Sequence, residues 1–189
     1  MRTGVLASGA GTNLQALIDA PGVDVACVAS DRPEARALER AAAAGIPHLA
    51  APAEGDILAF LDDHEVGVVA LAGYMRVLSP AFLARYPGRI LNVHPSLLPA
   101  FPGAHAVADA IAHGVRVTGA TVHLVDEGVD TGPIVLQEAV AVDYDDTPAA
   151  LLERIHRVEH RLLPEAVRLV AAGRVEVHGR RVRLTEGVP

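Results

Sequence analysis

Three short stretches of the 189-residue chain carry side chains that could do chemistry. In Asn92-Val93-His94-Pro95 an amide and an imidazole stand two residues apart. On a strand that spacing puts both on one face, so they would enter one crevice as a hydrogen-bond donor and a group that titrates near neutrality. An Asn and a His at a strand end also suit a turn cap and a structural hydrogen bond. The acidic stretch Asp126-Glu127-Gly128-Val129-Asp130-Thr131-Gly132 offers a carboxylate. Asp130 set against His94 would orient the ring and favour its cation, whereas the same composition serves any tight turn.

The third stretch is Ser8-Gly9-Ala10-Gly11-Thr12-Asn13. Glycines let the backbone approach a ligand, and free amides at a helix N-terminus attract an anion such as phosphate. A third glycine at dinucleotide spacing and a P-loop lysine are both missing, so a mononucleotide-like phosphate fits better than a dinucleotide. An ordinary βα turn capped by Thr or Asn uses the same residues. A fourth pattern, His156-Arg157-Val158-Glu159-His160, has the H-x-x-E-H form of inverted zinc proteases. A catalytic zinc needs a third protein ligand. Beyond His160 the chain offers only Glu165, Glu176, His178 and Glu186, with no second ligand helix. No metal is expected.

The flanking patterns show what would position these groups. The apolar run 5–7 precedes the Gly-rich turn, and Leu14, Leu17 and Ile18 follow at helical spacing. Pro21-Gly22 stops that helix, and 23–30 reads as a strand buried on both faces. Pro33 opens a helix that runs to the alanine tract 41–44, with Gly45 closing it. A short strand at 46–49, a helix at 56–64 and the strongly apolar strand 66–72 follow. Ser79-Pro80 supplies an N-cap and a first-turn proline for a short helix to Arg85, before the strand 89–94.

This alternation implies an α/β fold, a Rossmann-like, mostly parallel twisted sheet with helices on both faces. Pro95, Pro99, Pro102 and Gly103 make 95–104 an ordered loop. A helix at 106–113 leads to strands at 120–125 and 134–142, paired antiparallel across the acidic turn. Thr147-Pro148 starts a long helix to Ala172, with a kink expected at Pro164. The segment 175–184 reads as a small edge hairpin around His178-Gly179. One domain over 1–189 is expected, with one half at 1–94 and a second half at 95–189 holding the proline-rich loop, the antiparallel strands, the long helix and the hairpin.

Composition excludes several classes. Sixteen Lys+Arg against 23 Asp+Glu give a net charge of −7, and aromatics are 3% with no Trp. A general polyanion surface and base-stacking platforms are therefore not expected. The longest apolar stretch, 66–75, is interrupted by Gly67 and Gly73 and is too short to span a bilayer. The N-terminus leaves no room for a signal-peptide apolar region, and the lone Cys27 cannot form an internal bridge. A cytoplasmic protein acting on small molecules, as a monomer or homodimer, without nucleic-acid or membrane partners, is the expectation.

Four segments together carry a resemblance: Ser8-Gly9-Ala10-Gly11-Thr12-Asn13-Leu14-Gln15-Ala16; the run 71–80 (LAGYMRVLSP); Asn92-Val93-His94-Pro95-Ser96-Leu97-Leu98-Pro99; and Gly119-Ala120-Thr121-Val122-His123 continuing through Asp130-Thr131-Gly132-Pro133-Ile134. In order and spacing, over about residues 3–173, the chain resembles the phosphoribosylglycinamide formyltransferases, a branch of the folate-dependent formyltransferase superfamily. The resemblance implies formyl transfer from the co-substrate 10-formyltetrahydrofolate to the amine of 5′-phosphoribosylglycinamide in purine biosynthesis. It implies that Asn92, His94 and Asp130 are catalytic, and that Gly11, Thr12, Asn13 and Glu159 hold the ribonucleotide. The folate would lie along Met75, Arg76, Val77 and Leu78 and against Asn92, Val125, Asp126 and Asp130. The chain departs from many relatives in having Ala10 where they carry Asn, and in having no Arg between Arg40 and Arg76. A formyltetrahydrofolate hydrolase is the alternative within the superfamily, and a non-catalytic nucleotide-binding module is the alternative outside it.

Overall fold

Five strands run parallel: β1 (Arg2–Leu6), β2 (Val25–Ser30), β3 (His48–Ala50), β4 (Val66–Leu71) and β5 (Ile90–His94). They are joined by α1 (Thr12–Asp19), α2 (Arg36–Ala43), α3 (Glu54–Asp63) and α4 (Pro80–Arg85). Then come α5 (Ala106–His113), β6 (Val117–Leu124), β7 (Ile134–Ala141) and α6 (Pro148–Ala171). The sheet order is β3-β2-β1-β4-β5-β6-β7, with β6 antiparallel to β5 and to β7. The computed structural model describes residues 1–186; the end of the expected 1–189 unit, 187–189, lies outside the described residues.

Alternation along the strands sorts side chains into two layers. Val5, Val28, Val68 and Leu91 join one core with α1, α2 and α6, while Leu6, Cys27, Val69 and Ile90 join another with α3 and α4. Burial on both faces explains why these strands read as continuous apolar runs rather than alternating ones. The strand order switches direction between β1 and β4, which opens a crevice at the carboxyl ends of the parallel strands, where open α/β sheets take ligands.

Helix ends follow local chemistry. Ser79 and Thr147 accept hydrogen bonds from Phe82 N and Ala150 N, each with proline at the first turn. α6 continues as one element past a buried Pro164. Gly11 caps α1 at φ 71°, and a Cβ there would lie 2.8 Å from the Ala37 Cα; only glycine meets both demands.

Three expectations are corrected. Pro33 does not open α2, which starts at Arg36 behind Ala35. Pro33 lies inside a turn closed by Ala35 N on Arg32 O, the second turn position its fixed φ favours. β6 begins at Val117, three residues before the expected 120. Gly119 hid this start: a Cβ there would lie 2.1 Å from Glu138 O, so the glycine serves a close strand approach and not a break. The hairpin β8 (Val175–His178) and β9 (Arg181–Leu184) forms its own two-stranded sheet and does not extend the edge of the main one.

Candidate active site

β5 delivers Asn92 and His94 to one face, and its antiparallel partner β6 sets His123 opposite Asn92 and Thr121 opposite His94. The turn after β6 then carries Asp130 to the same point. His94 Nδ1 lies 3.3 Å from Asp130 Oδ2, and the two side chains are 6% and 10% exposed. Asp130 Oδ1 is 3.5 Å from His123 Nε2 and accepts from Asn92 Nδ2 at 3.4 Å. The Gly103 amide donates to Asp130 Oδ2 at 2.8 Å. Asp130 itself has φ 55°, a left-handed conformation that Asp tolerates better than most residues.

These contacts set the charge. The hydrogen bond with His123, then the Gly103 amide and the nearby His94, outweigh burial and hold the Asp130 carboxyl down at about 2. His94 Nε2 lies 2.8 Å from the Phe101 carbonyl, so both ring nitrogens face acceptors, a pattern that two N–H donors satisfy. His123 Nδ1 lies 2.9 Å from Leu124 O, and its Nε2 lies 3.2 Å from Asn92 Nδ2 as well as 3.5 Å from Asp130 Oδ1. The result is a buried cage of an amide, two imidazoles and an ionised carboxylate.

The cage forms one wall of a cavity of about 300 Å³. Met75, Arg76, Val77, Leu78, Asn92, Val125, Asp126 and Asp130 all line it. Met75, Val77 and Val129 expose large apolar side chains on its rim. Arg76 is the one Arg or Lys in the lining, and its guanidinium donates to the Pro52 carbonyl. Asp126 Oδ1 accepts from Gly128 N and from Thr131 Oγ1, which fixes the turn that closes this end.

A second cavity of about 460 Å³ adjoins the first, and Gly73, Met75, Val93, Pro95 and Ala104 line both. Its far end is Asn13 and Glu159. Asn13 Nδ2 donates to Glu159 Oε2 at 2.8 Å, and Glu159 is 3% exposed. Burial raises the Glu159 carboxyl above the usual range, against the opposing Asn13 hydrogen bond and the charge of His156. Asn13 Oδ1 is buried without a partner. Thr12 lines a separate surface groove between α1 and α6, and Gly11 supplies the turn behind it.

The structure thus brings Asn92, His94 and Asp130 together, joins Asn13 to Glu159, and leaves Thr12 outside the shared cleft. The H-x-x-E-H run sits on α6 with Glu159 turned to Asn13 and with His156 stacked on His160 at 5.9 Å. Among the described residues no group of three His, Cys, Asp or Glu is placed to hold a metal. No helix among them is long and apolar enough to cross a membrane. Sequence reasoning missed His123, the Gly103 amide and the Phe101 carbonyl. His123 had a signal, since Thr121 and His123 alternate on one strand face, but the β5–β6 pairing was needed to aim that face at Asn92.

The chain is similar to known proteins over most of its length. The formyl transferase family pattern matches residues 1–167. A phosphoribosylglycinamide formyltransferase of Mycobacterium tuberculosis is 51% identical over 189 residues, covering 93% of this chain and 87% of that protein. One from Bacillus subtilis is 44% identical over 87% of this chain and 91% of its own length. The crystal structure of glycinamide ribonucleotide transformylase 1 from Symbiobacterium toebii matches with a TM-score of 0.94 at 48% identity, covering 98% of this chain and 94% of that one.

Proposed function

The chain belongs to the formyl transferase family, and we propose how its residues carry out that family's chemistry here. It is a folate-dependent phosphoribosylglycinamide formyltransferase of purine biosynthesis. The formyl group moves from N10 of 10-formyltetrahydrofolate to the glycine amine of 5′-phosphoribosylglycinamide. The observation that carries the residue assignment is the cage that walls the smaller cavity, beside the larger one it adjoins, with His94 Nδ1 3.3 Å from a carboxylate that stays ionised at neutral pH.

Attack of the neutral amine on the formyl carbon places negative charge on the formyl oxygen and positive charge on the attacking nitrogen. Asn92 and a doubly protonated His94 donate to that oxygen, each well-placed donor supplying about 3 kcal/mol. To do so His94 Nε2 exchanges the Phe101 carbonyl for the oxyanion. A carboxyl held at about 2 is a weak base, so Asp130 acts first as the acceptor that orients His94 and faces its Nδ1 at 3.3 Å. It then helps pass the ammonium proton through water to folate N10. The N10–carbon bond breaks, and the products are the formylated ribonucleotide and tetrahydrofolate. No covalent enzyme intermediate is needed.

The larger second cavity takes the ribonucleotide, with Asn13 and Glu159 at its far end; Gly11 and Thr12 do not line that cavity and offer only backbone amides toward the phosphate. The smaller cavity takes the folate along 75–78 and 125–130, with Arg76 the one permanent cation near the anionic tail. Within one domain, residues 1–94 supply Asn13, the Gly-rich turn and the 75–78 segment, and 95–189 hold the catalytic loop, the folate-side turn and the long helix with Glu159, and line most of the second cavity. The enzyme works in the cytoplasm as a monomer or homodimer on small molecules, without a nucleic-acid or membrane partner.

The test is turnover of 10-formyltetrahydrofolate with and without 5′-phosphoribosylglycinamide. Tetrahydrofolate should form only when the ribonucleotide is present, together with the formylated product. Formate release without the ribonucleotide would instead indicate the hydrolase, and no reaction in either arm a binding module.

A further inference from the structure

Gly73 and Met75, which line both cavities, lie on the segment after β4 that forms the shared wall of the cleft. That segment is tied to the end of β1 by one side chain. Ser8 N donates to Gly73 O at 3.1 Å, and Met75 N donates to Ser8 Oγ at 3.0 Å. The Ser8 hydroxyl proton goes the other way, to Asp31 Oδ1 at 2.6 Å, a charge-assisted bond that fixes which lone pair faces Met75. Ser8 is 4% exposed, and the two bonds its hydroxyl makes are part-buried, to a half-buried Asp31 and to the backbone of Met75. It also stands immediately before the 9–13 turn assigned above to the phosphate.

We infer that Ser8, oriented by Asp31, is a positioning residue that sets the wall between the two substrates. It lines neither cavity, yet it is bonded to the formyl-donor side through Met75 and is continuous with the phosphate turn through the backbone. Asp31 at the end of β2 keeps the hydroxyl from rotating away. The inference rests on the folate and ribonucleotide reading of the two cavities. It adds two residues whose role is to hold Met75 where the folate lies.

Ser8→Ala, Asp31→Ala and Asp31→Asn test this by steady-state kinetics in both substrates. Loss of one part-buried, oriented bond predicts a KM for 10-formyltetrahydrofolate raised about five- to tenfold in Ser8→Ala. The KM for the ribonucleotide and kcat should each stay within about twofold. Asp31→Asn keeps an oxygen for the hydroxyl and should restore most of the folate KM that Asp31→Ala loses. The double variant Ser8→Ala/Asp31→Ala should be no worse than Ser8→Ala alone, because the two act as a unit. An unchanged folate KM in Ser8→Ala, or equal loss in all three constants, overturns the inference. If Ser8→Ala fails to fold, equal folate KM values in Asp31→Asn and Asp31→Ala overturn it in the same way. An inert wild-type enzyme would sink the functional reading beneath it, an outcome distinct from either.

Discussion

The cleft holds a buried carboxylate at each end, and the two are treated in opposite ways. Asp130 receives the Gly103 amide on one oxygen and Asn92 on the other, with His94 and His123 alongside, and its carboxyl is held down at about 2. Glu159 is buried as deeply, but among the described residues it accepts one side-chain hydrogen bond, from Asn13, and has His156 at 3.9 Å. Its carboxyl is pushed up, because burial outweighs that single bond. One end is electrostatically complete before substrate arrives. The other holds an under-solvated acceptor beside an unpaired Asn13 Oδ1, the state a ligand rich in hydroxyl and amine donors would relieve.

The sharpest way to break this contrast is to remove the charge at the complete end without changing its shape. Asp130→Asn keeps an acceptor for the Gly103 amide and a side chain that tolerates φ 55°. It removes the anion that faces His94 Nδ1 and orients the ring toward the oxyanion, so kcat should fall about 10³-fold, the loss typical of an oxyanion donor. The ribonucleotide KM should change less than about threefold, since that site lies at the other end. A kcat within about tenfold of wild type would remove Asp130 from the charge balance of the reaction.

The same carboxylate makes a slower-acting prediction on stability. Its folded value, about 2, lies below the ordinary 3.8, so its contribution is complete above about pH 4 and is lost as pH falls through about 2. That contribution is about 2 kcal/mol. Chemical denaturation at pH 6 and at pH 2.5 should show wild type ahead of Asp130→Asn at the higher pH, with most of the gap closed at the lower. A gap that stays constant would mean the cage leaves Asp130 unperturbed.

How far this was readable from residue types depends on how each contact is made. The β–α alternation was legible because strands buried on both faces are continuous apolar runs, and because Ser79-Pro80 and Thr147-Pro148 name helix starts by mechanism. That Asn92 and His94 share a face was legible from the strand period, while their role, like that of Asp130, needed the family resemblance. Asp130 needed the family resemblance, since its distance to His94 depends on the β5–β6 register and on a turn in a left-handed conformation. The Gly103 amide and Phe101 carbonyl are backbone groups, to which side-chain identity is blind. Pro33 misled because proline at a turn's second position and proline at a helix's first look alike in sequence.

The incomplete end gives the smallest effect and the one most specific to the contrast. Glu159→Gln keeps an oxygen for Asn13 Nδ2 but removes the charge, so ribonucleotide KM should rise about tenfold, one charged hydrogen bond's worth, with kcat little changed. Stability should move the opposite way. A carboxyl whose folded value is raised costs the native state as pH climbs past the unfolded value, near 4.3, and the cost is full once pH exceeds the folded value. Glu159→Gln escapes it, so its melting temperature should exceed wild type by about 2–4 °C at pH 8, and by less at pH 5. Asp130→Asn loses its disadvantage on acidification, whereas Glu159→Gln loses its advantage, and calorimetry across pH 2.5–8 separates the two. A Glu159→Gln protein that melts below wild type at pH 8 would mean the buried carboxylate is already compensated, and that the two ends of the cleft differ in geometry but not in electrostatic readiness.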